Sequence, residues 1–277
     1  MNSPATATSS SALTWGDAAG TRHPVCDAEC RIVSLVPSLT ELLCELGLRA
    51  QLVGRTRYCI HPRATLQTIA AVGGTKDVSL EKVRALKPTH VVMNIDENLR
   101  DTATALAEFV PQVIVTHPSQ PEDNLALYEL FGGIFNRGEA ARSLSTRYLA
   151  KLQEVRARSP RVSRRVLYLI WRAPWMSVAR ETYIAQTLAE FNLLTEPAQA
   201  RSRYPEVRLE DYRGQVDYVL LSSEPYPFRA RHLAEVQAAL PGAHVQLIDG
   251  EMTSWYGSRA LPALDYLDNF TRALQLA

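Results

Sequence analysis

The chain has 277 residues, of which 46% are hydrophobic and 21% charged, enough to bury one large core or two smaller ones without disulfide or metal staples. With 30 Lys+Arg against 29 Asp+Glu, the formal net charge is +1, so there is no overall positive field to attract nucleic acid or an anionic membrane. No stretch approaches the ~18–20 continuous apolar residues of a membrane-spanning helix.

In chain order, residues 1–30 read as a flexible leader. The tract to Gly20 is mostly Ser, Thr and Ala with no Lys or Arg, too polar to offset the entropy of ordering. It lacks the basic start and the apolar run of ~7–15 residues of an export signal, so a cytoplasmic address is expected, with a periplasmic one as the alternative. The four cysteines, Cys26, Cys30, Cys44 and Cys59, show no spacing typical of a disulfide framework and are expected to be reduced. The fold is expected to begin at Arg31. Ile32 to Val36 is a strand, Pro37-Ser38 breaks it, and Ser38 or Thr40 caps a helix over Glu41 to Leu46 that Gly47 stops. A helix over Leu80 to Leu86, a strand over His90 to Met93, a helix over Arg100 to Phe109 and a strand over Val113 to Val115 follow. Strands separated by helices predict a parallel sheet covered on both faces.

From Pro121 to Ser159 only helical periodicity is present, interrupted at Gly132-Gly133 and near Asn136-Arg137-Gly138. Between Glu139 and Arg158, Leu144, Tyr148, Leu152 and Val155 recur at three- and four-residue steps, the stripe of one amphipathic helix roughly 30 Å long. Such a helix either bridges two lobes or packs on one sheet. After Pro160 the order restarts. A strand over Arg165 to Ile170 echoes Arg31 to Pro37, Ile184 to Phe191 echoes the first helix, and Val207 to Leu221 echoes Val78 to Val92. The expectation is an α/β protein of two similar lobes with mostly parallel sheets: leader 1–30, N-terminal lobe 31–136, linking backbone helix 137–159 and C-terminal lobe 160–277. A cleft between the lobes, at the carboxyl ends of the strands, is where open parallel sheets hold ligands.

The loops expected to line that cleft are Pro37-Ser38, Arg55 to Pro62, Asn94 to Asn98, Trp171 to Trp175, Ser222 to Phe228, and Asp249 to Gly257, several of them rich in aromatics and Pro. Large aromatics in polar loops either staple the loop to the body or face a ligand. The opening Arg31-Ile-Val-Ser-Leu-Val-Pro-Ser-Leu-Thr-Glu41, the stretch Leu80 to Pro88 ahead of a strand, and the long central helix together resemble the bacterial periplasmic substrate-binding proteins of cobalamin and ferric-siderophore uptake, closest to the cobalamin-binding branch. The resemblance covers nearly everything from Arg31 to Leu276. It implies two lobes joined by a rigid helix with the ligand between them, and one surface glutamate per lobe that docks on an ABC permease; the matching positions are Glu81 and Glu210. Both also suit the first turn of a helix for dipole reasons alone.

A corrinoid is a large, partly flat ring with amide arms, suited to an aromatic rim with scattered donors. Candidates for the site are Pro37, Ser38, Tyr58, Cys59, Trp171, Trp175, Tyr226, Phe228, Trp255 and Tyr256, with Arg55 and Arg259 as grips for a phosphate or carboxylate or as ties within their own loops. His61 or Cys59 could ligate a cobalt or iron centre, although a lone His before Pro is more often structural. No clustered His/Cys metal motif, Walker loop or GxSxG elbow is present. Asp96-Glu97 and Asp249/Glu251 are the carboxylates available to an enzyme built on the same cleft. The reading is therefore a monomeric, non-enzymatic receptor, either in uptake or as an intracellular derivative. A corrinoid or iron complex is its ligand, with a ferric siderophore or haem as the alternative, and no tightly bound cofactor is expected.

Overall fold

Residues 13–26, 29–158 and 162–276 are described by the computed structural model; residues 1–12, 27 and 28 of the expected leader lie outside them. Residues 13–26 depart from that expectation. Thr14–Gly16 (β1) and Arg22–Pro24 (β2) pair antiparallel in a hairpin. Tertiary contacts hold it: Ala18 N–H donates to Val115 O (2.9 Å), Val115 N–H donates to Asp17 Oδ2 (2.9 Å), and buried His23 sits between Asp17 Oδ2 (3.1 Å) and Gln112 Oε1 (2.7 Å). Burial opposes charge on both Asp17 and His23, yet their mutual hydrogen bond and those to Val115 and Gln112 outweigh it. The carboxyl is left below, and the imidazole above, its ordinary range.

The first lobe then runs Ile32–Ser34 (β3), Pro37–Glu45 (α1), Leu52–Arg55 (β4), Arg63–Leu66 (α2), Ala70–Ala71 (β5), Leu80–Ala85 (α3), His90–Asn94 (β6), Arg100–Ala107 (α4) and Gln112–Thr116 (β7). Val36, with no side-chain cap, precedes Pro37 at the first position of α1, so neither Ser38 nor Thr40 is the cap. Both lie inside the helix, and Thr40 Oγ1 donates back to Val36 O (2.8 Å). A proline at the first helical position suffices there, since its fixed φ is helical and its missing N–H would have been unpaired. Gly47 follows the helix at φ +76°, a left-handed stop that needs glycine.

Asp123–Ile134 (α5) and Gly138–Ala157 (α6) come next. The glycine pair read as an interruption lies within α5. A β-carbon at Gly132 would strike the Ala141 methyl on α6, and one at Gly133 would enter the Trp15 indole of β1. These glycines exist for close approach. Gly133→Ala is expected to cost about 1–3 kcal/mol by overpacking, despite roughly 1 kcal/mol gained in helix propensity; urea unfolding measures it, and an unchanged midpoint would mean that Trp15 does not seat there. Leu144, Tyr148, Leu152 and Val155 are all buried along α6.

The second lobe runs Arg164–Leu169 (β8), Tyr183–Ala189 (α7), Leu193–Glu196 (β9), Tyr218–Ser222 (β10), Leu233–Ala239 (α8), His244–Ile248 (β11), Glu251–Ser254 (α9) and Ala260–Leu276 (α10). Its four strands are parallel in the order β9-β8-β10-β11, and the first lobe reads β5-β4-β3-β6-β7, also parallel. Apart from the added edge strand β5, both sheets have the order second-first-third-fourth. The echo in the sequence is thus a repeat of topology. In each sheet the order reverses beside the first strand, and the crevice at that switch point opens at the carboxyl ends.

Alternation along the strands divides the core. Ile32 and Val36 of the first lobe, and Val166, Tyr168 and Ile170 of the second, belong to one apolar cluster that also takes in α1, α5, α6, α7 and α10. Val33 and Leu35 point to a separate cluster under α3 and α4, and Leu167 and Leu169 to another under α8. No helix among the described residues is long and apolar enough to cross a membrane.

Candidate functional site

The loops at the carboxyl ends of the two sheets meet along a polar seam. After β6, Asn94 Oδ1 accepts from the N–H groups of Asp96 (2.8 Å) and Glu97 (3.3 Å), and Asn98 Oδ1 accepts from Asn94 N–H (2.9 Å). This locked turn presents Asp96 and Glu97 to the other lobe. Arg203 donates to Asp96 in fork geometry (2.8 and 3.1 Å), Tyr204 OH donates to Asp96 Oδ2 (3.1 Å), and Tyr256 OH donates to Glu97 Oε1 (2.7 Å). Burial pushes the Glu97 carboxyl up to about 7, against the Tyr256 hydrogen bond and with help from nearby Glu224. A second seam lies nearer α1, where Arg259 forks onto Glu41 (2.7 and 2.8 Å) and also reaches Glu251 (2.8 Å), while His61 lies 3.2 Å from Glu251.

Glu224, after β10, accepts from Ser254 Oγ and from Trp255 Nε1, both at 2.7 Å. Burial pushes its carboxyl up as well. Trp255 is only 7% exposed, stands edge-on to His61 (5.6 Å) and lies under the Arg259 guanidinium (4.7 Å). It fastens the loop after β11 to the loop after β10.

The aromatic rim expected from the sequence divides into struts and exposed faces. Phe228, Trp255 and Tyr256 are buried. Trp175 stacks on Phe228 (6.1 Å, 3° between planes), and half-buried Tyr226 packs against Phe228 (4.7 Å) and, edge-on, Trp171 (5.7 Å). Left open are Tyr58 (54% exposed) and Ile60 (43%) after β4, Ile95 (48%) after β6, and Trp171 (40%) after β8. These four of the exposed large apolar side chains lie on loops at the carboxyl ends of the strands, where a ligand would cover them.

Several sequence candidates are committed elsewhere. Arg55 donates to Leu66 O (3.1 Å) and Thr56 O (2.9 Å), tying down its own loop, and Arg259 is held by its two glutamates. Cys59 is fully buried, accepts from Thr40 Oγ1 (3.0 Å), and has its thiol pushed up by burial, so it is a packed core residue and not a cleft ligand. Pro37 is half-buried and Ser38 buried, in the first turn of α1 against the Gly257 backbone. Glu81, in the first turn of α3, and Glu210, in the 3₁₀ turn Leu209–Tyr212, are exposed, and neither forms an ion pair with a described residue.

Sequence reasoning missed Arg203, Tyr204 and Glu41 as parts of this region, and it placed Ile60 and Ile95 in cleft loops without singling them out. The loop holding Arg203 and Tyr204 has no periodicity to mark it; Asn94 and Asn98 flanking two carboxylates were the available signal for the turn. A recess of about 600 Å³ lies on the flank of α6, lined by Glu41, Glu45, Arg49, Arg147 and Arg259 among others. Its charged walls suit it less to a flat apolar ligand, although Pro62 joins it to the loop that carries Tyr58 and Ile60.

A family model described as periplasmic binding protein matches residues 32–217. Among solved structures, the periplasmic vitamin B12 binding protein BtuF of Vibrio cholerae is 18% identical, with 88% of this chain and 97% of that chain covered and a TM-score of 0.75. The periplasmic heme-binding protein RhuT of Roseiflexus sp. RS-1 is 21% identical (89% and 99% covered, TM-score 0.77), and the heme-binding protein HutB of Vibrio cholerae is 19% identical (89% and 99%, TM-score 0.73). No curated protein sequence matches the chain.

Proposed function

Because the chain belongs to the periplasmic binding protein family, we propose that it captures a metal-bearing small molecule, a corrinoid of the cobalamin type, at the carboxyl ends of its two sheets. The observation that carries this reading is the concentration of exposed Tyr58, Ile60, Ile95 and Trp171 on those loops, apolar area that a flat macrocycle with polar arms would cover. The buried aromatics behind them hold Trp171 and its loop in place, so little side-chain entropy is lost on binding. Asp96, Glu97, Arg203, Tyr204 and Tyr256 bond to one another and serve to hold the lobes together. That favours recognition over acid–base catalysis.

Tyr58 and His61 lie in one loop and offer a phenol oxygen and an imidazole to a ring-bound metal, which favours haem as the second reading. Delivery to an ABC permease is part of this reading, with Glu81 and Glu210 as the proposed contacts; the exposure of both carboxylates supports it. The family favours a periplasmic place of work over the cytoplasmic one expected from the leader. The test is titration of purified protein with cyanocobalamin, cobinamide, haem and a ferric siderophore, followed by tryptophan quenching and the visible spectrum. Saturation at one corrinoid per chain is expected. A response to haem alone would move the assignment to the second reading, and no response to any of the four would overturn both.

A further inference from the structure

At the opposite end of the first sheet, under the amino ends of its strands, three side chains converge. Cys26 leaves the β1–β2 hairpin, Cys30 stands just ahead of β3, and His90 opens β6. Cys30 Sγ lies 3.5 Å and Cys26 Sγ 3.9 Å from His90 Nδ1, and the three ligand atoms all fall within 4.8 Å of one another. We propose that Cys26, Cys30 and His90 form a binding site for a thiophilic divalent metal, zinc foremost, that fastens the N-terminal hairpin to the base of the first lobe.

The distances carry the assignment. Ligands on a tetrahedral zinc, with Zn–S of about 2.3 Å and Zn–N of about 2.0–2.1 Å, stand roughly 3.5–3.8 Å apart along the edges of the tetrahedron. The Cys30 separation of 3.5 Å falls on such an edge and the Cys26 separation of 3.9 Å lies just beyond it, so a metal enters by drawing the sulfurs in, by at most about 1 Å where atoms stand 4.8 Å apart. The donor set, two sulfurs and an imidazole, is that of zinc. The frame is rigid on the His90 side. Its backbone N–H donates to Arg31 O (3.0 Å), it is in register with Ile32 and Gln112, and its ring stands edge-on to Phe135 (5.3 Å). On the other side, Cys26 N–H donates to Ile134 O (2.6 Å) at the end of α5. Thr89 Oγ1 also lies 2.8 Å from His90 Nδ1. With the nitrogen lone pair on a metal, the hydroxyl turns its hydrogen to Arg31 O, already 3.2 Å away. Loading releases thiol protons as the two sulfurs become thiolates. The site lies at the sheet end away from the cleft, so its metal is a resident and not the cargo.

The probe is cobalt(II) added to the full chain after chelator and thiol-reductant treatment. One cobalt per chain is expected, with thiolate-to-cobalt charge-transfer absorption and strong tetrahedral d–d bands, both abolished by one equivalent of zinc. Cys26→Ser and Cys30→Ser should each weaken zinc binding more than about 100-fold, beyond the 10–100-fold typical of losing an outer-shell partner. Zinc should raise the thermal midpoint of the unaltered chain and not that of the double variant. Cys30 and His90 are buried and their variants could fail to fold, so Cys26→Ser, at a half-buried position, and the spectrum of the unaltered chain keep the test decisive. Cys44→Ser should change nothing. No charge-transfer band with the thiols reduced, a band that survives in the Cys26→Ser/Cys30→Ser variant, or a Cys26–Cys30 disulfide in protein isolated without reductant would each overturn the proposal. None of these outcomes bears on corrinoid binding.

Discussion

Trp255→Ala is expected to lower stability by about 3–5 kcal/mol, the range for removing a large buried aromatic, whereas Trp171→Ala should cost the fold clearly less and weaken binding of the proposed corrinoid by about 1–3 kcal/mol, roughly 5- to 150-fold. Both tryptophans sit in aromatic, loop-rich segments, but their surroundings differ. Trp255 fills the space between His61 and Arg259 and donates to the buried Glu224 carboxylate. Truncation removes apolar burial and leaves that carboxylate one donor short. Trp171 stands edge-on to Tyr226, keeps 40% of its surface in water and lacks the buried carboxylate partner that Trp255 has, so its loss costs the fold less and the ligand more. Urea unfolding and ligand titration of the two variants separate the roles. Equal losses of stability in both would remove Trp171 from the site, and an unchanged affinity would do the same.

The second large effect is a pH dependence centred on Glu97. Its carboxyl is raised from an ordinary 4.5 to about 7, chiefly by burial. The folded state therefore holds this proton more tightly than the unfolded chain. Near pH 4 both states are protonated and there is no cost. As pH climbs from about 4.5 to 7 the unfolded chain ionises first and stability falls, and above pH 7 the loss is complete, about 3 kcal/mol at ~1.4 kcal/mol per unit. Glu97→Gln keeps an acceptor for the Tyr256 hydroxyl and carries no charge. The variant should gain about that amount at pH 8 and nothing near pH 4. Equal changes at both pH values would show that Glu97 is not the group responsible.

The sequence made the central strands β3, β6, β8 and β10, the edge strand β7 and the backbone helix readable because their signals are local, whereas β4, β5, β9 and β11 were not singled out. Four buried positions at three- and four-residue steps in α6, and short β-branched runs closed by Pro or Gly, need no knowledge of the rest of the chain. Long-range contacts explain what was missed. The β1–β2 hairpin is three residues on a side, held by His23 against Gln112 and by Trp15 against Gly133; neither contact has a periodicity. The pairing of Arg259 with Glu41 joins residues 218 apart in the chain, so that the arginine read as a ligand grip is a strut. The aromatic loops were recognisable as a group. Which ring faces water and which is a wedge depends on partners such as Glu224, whose place only the folded chain reveals.

One apolar cluster continues from Ile32 in the first lobe to Leu274 at the far end of the second, behind the cleft and along α6. Mechanically, this makes the protein a clothes-peg with a stiff spring: the jaws can yield at their loops, but wide swinging would tear a packed interior. Loaded and empty forms should then have nearly the same outline in solution scattering, with Glu81 and Glu210 at nearly the same separation in each. A membrane partner gripping both jaws would have to sense cargo through the stiffness or surface of the mouth, and would supply the force for release itself.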